Sequence, residues 1–160
     1  MLFVGLVRQN GRSPVADKTR ILFLCSGNSC RSQMAEGWAR CLVGDAIEPY
    51  SAGSEPHGLN SYAVRVMAEV GVDISSHTSK AVSDISEKSF DYVITVCDGA
   101  AGEACPYYPG EAKFRLHHGF DDPPRLVVGW TDEEKILNCY RRVRDEIKAF
   151  ILTLPQLIQE

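Results

Sequence analysis

Leu24-Cys25-Ser26-Gly27-Asn28-Ser29-Cys30-Arg31-Ser32 follows the apolar run 21–24 and precedes Gln33-Met34-Ala35-Glu36-Gly37-Trp38-Ala39-Arg40. The apolar run reads as a buried parallel strand, and the segment after the loop reads as a helix. A tight loop between strand and helix turns backbone N–H groups inward, and the helix dipole adds positive potential at the same spot. Such a cradle suits a tetrahedral oxyanion. Arg31, six residues after Cys25, can grip two of its oxygens with a planar fork. A field of this kind favours thiolate over thiol, which makes Cys25 the candidate nucleophile. Gly27 permits close backbone approach and Asn28 tolerates a left-handed conformation. Ser32 can cap the helix or donate to the sulfur. Ser26, Gly27, Asn28, Ser29, Cys30, Arg31 and Ser32 are thus the candidate oxyanion-binding residues.

Working outward, the chain alternates strands and helices. Strand one covers about 20–24 and a helix 32–43. Pro49-Tyr50-Ser51-Ala52-Gly53 reads as a short strand stopped by glycine, followed by a helix over 60–70 closed by Gly71. Residues 80–85 form a short helical turn and 90–96 a strand that ends in Cys97. The segment 99–109, rich in Gly, Ala and Pro, is a loop, and 113–117 a fourth strand. Thr131-Asp132-Glu133-Glu134 reads as a capping box opening a long terminal helix, with Ile136, Leu137, Tyr140, Val143, Ile147 and Ile151 on one face. The expected fold is α/β, an open parallel four-stranded sheet of flavodoxin-type topology with helices on both faces. Residues 1–18 read as an N-terminal extension and 19–160 as a single domain. Sites in such sheets lie outside the carboxyl ends of the strands, where strand order reverses. Cys25, Cys97 and Asp121-Asp122-Pro123 should all reach that edge.

The chain has 160 residues, enough for one core, and a net charge of −4 without a basic run, which argues against a nucleic-acid partner. No stretch has transmembrane length, so no membrane contact is expected and the location should be cytoplasmic. Six cysteines at irregular spacing fit catalytic, redox-active or buried thiols in a reducing compartment. No zinc-ligand spacing is present, and no resident metal is expected. Cys41 and Cys139 read as helix packing, the four histidines as structural polar residues, and Arg141, Arg142 and Arg144 as a solvated helix face.

The loop together with Gln33-Met34-Ala35-Glu36-Gly37, Ser51-Ala52-Gly53, His77-Thr78-Ser79, Cys97…Cys105-Pro106 and Asp121-Asp122-Pro123 resembles the thioredoxin-coupled arsenate reductases. That family shares the fold of the low-molecular-weight protein tyrosine phosphatases, and the resemblance spans about residues 20–150. The loop alone is common to both groups, so a phosphatase is the alternative. Two further cysteines serve a reductase, which must supply two electrons, and have no use in a phosphatase. The resemblance implies that Cys25 attacks arsenic while Arg31 and the loop amides hold the oxygens, and that Asp122 is the general acid. It implies that Cys97 then attacks Cys25, and that Cys105 attacks Cys97 to leave a disulfide for thioredoxin. No bound cofactor is implied; thioredoxin is the external reductant, phosphate a weak competitor of arsenate, and the protein a monomer.

Two departures from the family stand out. Cys97 and Cys105 are eight residues apart, one more than usual. A helix would hold them about 12 Å apart, whereas a disulfide needs Cα atoms within about 7 Å, so the loop would have to unwind or fold back. Some members bind potassium through side chains corresponding to Asn28, Glu36 and Ser51, with an aspartate after His-Thr-Ser. Lys80 stands at that last position here, where its ammonium could fill the cation's place beside Glu36.

Overall fold

The structure, a computed structural model, describes residues 18–87, 89–99 and 105–159. Residues 1–17 of the expected extension, and 100–104 between Cys97 and Cys105, lie outside the described residues. The elements run β1 (Thr19–Cys25), α1 (Arg31–Val43), β2 (Ile47–Gly53), α2 (Ser61–Glu69), a 3-10 turn (Val82–Asp84), β3 (Ser89–Thr95), β4 (Glu111–His117), α3 (Pro123–Leu126) and α4 (Glu133–Leu157). All strands are parallel, in the order β2-β1-β3-β4. Strand order therefore reverses between β1 and β3, and the crevice that such a reversal opens lies beyond Cys25 and Thr95.

Alternation along the strands sorts the core into two layers. Ile21, Phe23, Tyr92 and Ile94 join Met34, Trp38, Met67, Leu137, Tyr140 and Ile147 of α1, α2 and α4. Leu22, Leu24, Phe90 and Val93 form the other layer with Ile85 and Tyr108. The second face is thus covered by the 3-10 turn and the 107–110 segment in place of a long helix.

Local departures from the sequence reading have physical causes. α4 is capped by Asp132, whose carboxylate accepts from the N–H groups of Glu134 and Lys135, so Thr131 is not the capping residue. The Asp122-Pro123 turn continues into the short α3, with Pro at its first position, where a missing N–H costs nothing. Cys41 is exposed, not packed, since Leu42 and Val43 are the residues of the last turn of α1 that meet the core. Arg144 is buried rather than solvated: its guanidinium reaches the Val66 carbonyl (2.9 Å) and Glu69 (3.1 Å), while its own carbonyl accepts from Trp38 Nε1. These contacts join α4 to α2 and α1. Among the described residues no helix is long and apolar enough to cross a membrane.

Candidate active site

The loop 26–30 is held by its carbonyls. Those of Ser26, Gly27 and Ser29 accept from the N–H groups of Glu55, His57 and Asn60, each at 2.9 Å. The Asn28 carbonyl accepts from Gln33 Nε2 at 3.1 Å. In trans peptides the C=O of one residue and the N–H of the next point opposite ways, so the N–H groups of 27–30 point away from those donors, into the cradle. Asn28 has φ +46°, the left-handed conformation expected for it. Its buried amide donates to Ser32 Oγ (2.8 Å) and its oxygen accepts from Gln33 Nε2 and from the Lys80 N–H. Ser32 Oγ also lies 2.8 Å from Cys25 Sγ, close enough for its hydroxyl to donate to a thiolate there. Ser32 therefore faces the sulfur, and α1 begins one residue earlier with no side-chain cap.

Arg31 is buried, with one terminal nitrogen donating to the Phe120 carbonyl (3.2 Å) and the other 3.5 Å from Asp122 Oδ1. Asp121 instead pairs with Arg142 at 2.9 Å. The structure thus brings Cys25, Arg31 and Asp122 to one edge of the sheet. Burial pushes the Cys30 thiol well above its ordinary range, with charge on Cys25 and Asp122 adding to the effect. Cys30 stays a neutral thiol.

Cys97, fully buried, and exposed Cys105 form a disulfide with a Cα separation of 5.8 Å. The two Cα atoms thus lie within the reach a disulfide requires. Cys97 follows β3 and Cys25 ends the adjacent β1, whose Leu24 carbonyl accepts from the Val96 N–H at 2.8 Å. A ring nitrogen of His117 and the two sulfurs lie within 4.8 Å of one another. The sequence offered no signal for this beyond the end of β4, and two of the three donors are tied up in the disulfide.

Gly53 read as a strand terminator, but its close contact with the loop decides its identity. A Cβ there would come within 2.6 Å of the Ser26 oxygen and 2.8 Å of the Asn28 nitrogen, both backbone atoms that cannot yield separately. Gly53→Ala should destabilise the protein by about 2 kcal/mol and weaken binding of inorganic phosphate. Thermal midpoints and phosphate titration check this; unchanged phosphate affinity would contradict it.

Glu36, nearly buried, accepts from Ser51 Oγ (2.9 Å) and lies 3.1 Å from Arg40, 3.3 Å from His77 Nδ1 and 3.9 Å from Lys80 Nζ. Burial lowers the His77 pKa despite the Glu36 charge, and Arg40 and Lys80 lower it further, so Arg40 and Lys80 supply the positive charge. Lys80 Nζ also donates to the Thr78 carbonyl at 3.0 Å. A cation is thus already in place beside Glu36. We expect no potassium-specific gain over sodium at matched ionic strength, and Lys80→Asp should cost about 2 kcal/mol. Activity and thermal midpoint in each salt, for both proteins, decide it.

The family model for low molecular weight phosphotyrosine protein phosphatase matches residues 20–160. An arsenate reductase of Halalkalibacterium halodurans is 49% identical over 140 residues, 88% of this chain and 97% of that protein. One from Bacillus subtilis is 53% identical over 127 residues, covering 79% and 88%. Among solved structures, an arsenate reductase in the phosphate-binding state gives a TM-score of 0.69 at 30% identity, covering 85% of this chain and 95% of that one. The thioredoxin-dependent arsenate reductase of Corynebacterium glutamicum gives 0.61 at 29%, covering 89% and 62%. The chain belongs to the arsenate reductases built on the low-molecular-weight phosphotyrosine protein phosphatase fold.

Proposed function

We propose that this protein reduces arsenate to arsenite through a cysteine nucleophile and an intramolecular disulfide relay reset by thioredoxin. The observation that carries this reading is the Cys97–Cys105 disulfide on the same sheet edge as the oxyanion loop. A phosphatase needs the loop, the arginine and the acid, but no second pair of thiols.

In the proposed mechanism the loop amides and Arg31 hold three arsenate oxygens, and Ser32 steadies the Cys25 thiolate. Cys25 displaces one oxygen as Asp122 protonates it. Cys97 then attacks Cys25 Sγ. The electron pair of the arsenic–sulfur bond stays on arsenic, which leaves as arsenite. Cys105 attacks Cys97, freeing the Cys25 thiolate and forming the bond seen here. The exposed Cys105 sulfur is the one an external thiol can reach, and thioredoxin reduces the pair there. Inorganic phosphate, nearly the same shape and charge as arsenate, competes for the loop. No prosthetic group takes part, and the protein works as a monomer in the cytoplasm, where thiols are kept reduced.

The test is arsenate-dependent consumption of reducing equivalents with a thioredoxin system, beside a glutaredoxin system and an aryl phosphate. Aryl phosphate hydrolysis without arsenate-dependent consumption would assign the loop to a phosphatase.

A further inference from the structure

The register of the sheet sets a histidine against the redox pair. His117 ends β4 opposite Thr95, the last residue of β3, and Cys97 lies two residues further on. Thr95 Oγ1 sits 2.7 Å from His117 Nδ1. A hydroxyl both donates and accepts, so it can hold the ring whether or not that nitrogen carries hydrogen. Gly119 leaves the ring its room: a Cβ there would meet the Cys97 carbonyl at 2.9 Å and His117 Nε2 at 3.2 Å. The exposed ring thus stands within 4.8 Å of both sulfurs and can exchange protons with water.

Each exchange at this pair moves a proton. Cys105 has to lose one before its sulfur attacks Cys97. When an outside thiolate later opens the bond at Cys105, Cys97 leaves as a thiolate inside the protein, fully buried. An apolar surrounding disfavours a bare thiolate, so that sulfur needs a proton as it departs.

We propose that His117 is the proton carrier of the disulfide relay. It takes the proton of the Cys105 thiol as that sulfur attacks Cys97 and expels the Cys25 thiolate. It returns the proton to Cys97 when the thioredoxin thiolate bonds to Cys105 and the Cys97–Cys105 bond breaks. A second thiol of the reductant then attacks its partner sulfur, breaks the mixed disulfide and frees Cys105; two electrons have passed to the original pair, and the histidine ends as it began. This assignment rests on the relay described above, but its test does not.

The full chain, oxidised at Cys97–Cys105, is reopened with dithiothreitol and separately with thioredoxin, as wild type, His117→Gln and His117→Ala. Both variants should reopen about ten- to a hundredfold more slowly at neutral pH, at or below the lower end of general acid–base effects because water has access. Added imidazole should restore His117→Ala and leave His117→Gln slow, while inorganic phosphate binding stays unchanged in both. Glutamine keeps a hydrogen bond to Thr95 but carries no proton, so a His117→Gln protein as fast as wild type would overturn the proposal. So would a slow His117→Ala that ignores imidazole. The dithiothreitol arm needs neither arsenate nor thioredoxin. Histidine-dependent reopening in a protein inert to arsenate would reject the function and keep the carrier.

Discussion

Cys25→Ser should give a folded protein without measurable arsenate turnover, a loss of at least about 10⁴-fold. Two separate losses coincide at this atom. A serine hydroxyl is a much weaker nucleophile near neutral pH, and oxygen cannot form the disulfide by which the electron pair returns to arsenic. Beyond the 2.8 Å contact with Ser32, which a hydroxyl at this position can also make, the cradle is held by bonds that do not involve the sulfur. The loop carbonyls remain bonded to residues 55, 57 and 60, Asn28 to Ser32, and Arg31 to the Phe120 carbonyl. Phosphate should therefore still bind, and at about a hundred times its Kd should stabilise variant and wild type alike by about 2.7 kcal/mol. Reductant consumption and the phosphate-induced rise in thermal midpoint are the two readings. Persistent turnover would remove Cys25 from the chemistry; lost phosphate protection would mean that the variant had damaged the loop.

What the sequence revealed was local, and what it hid was long-range. The loop could be read because strand, glycine, asparagine, arginine and helix are contiguous, each residue's conformational preference acting on its neighbours. The parallel sheet followed from the alternation of elements, and the meeting of Cys25, Cys97 and Asp122 from the rule that sites gather where strand order reverses. The supports of the loop are different in kind. Gly53 excludes a Cβ because the loop backbone passes over β2, and no periodicity encodes that approach. Arg144 stands in a run of arginines on α4 that looks solvated, yet its partners, Val66 and Glu69, belong to α2. Cys41 continues the apolar face of α1 in sequence, but at that end of the helix Leu42 and Val43 pack on the core and Cys41 is exposed. His117 meets the disulfide only through strand register. The position of Lys80 near Glu36 was legible as one lysine in a motif, whereas Arg40 and His77 at the same carboxylate were not.

Cys105→Ser should release one arsenite per chain and then stop, with sustained turnover down by at least about 10³-fold. Cys25 and Cys97 remain, so the first attack and the first exchange proceed. Leu24 and Thr95 are register partners on adjacent strands, and such strands lie about 4.8 Å apart, so Cys97 needs only a local shift to reach Cys25. The resulting Cys25–Cys97 bond has no third thiol to resolve it. Both of its sulfurs come from buried residues, Cys25 only 2% exposed and Cys97 not at all, so thioredoxin meets no accessible atom to attack. Cys97→Ser, in contrast, should release no arsenite, because nothing attacks the arsenic-bound sulfur. Rapid-quench counting of arsenite and peptide mapping after one turnover separate the two. Cys30 is the one other thiol in the loop, and burial holds it protonated, so it should not stand in for either cysteine. A Cys25–Cys30 bond in the Cys105→Ser protein, or steady arsenite release from it, would defeat the proposed order of exchange, since the first outcome bypasses Cys97 and the second bypasses Cys105.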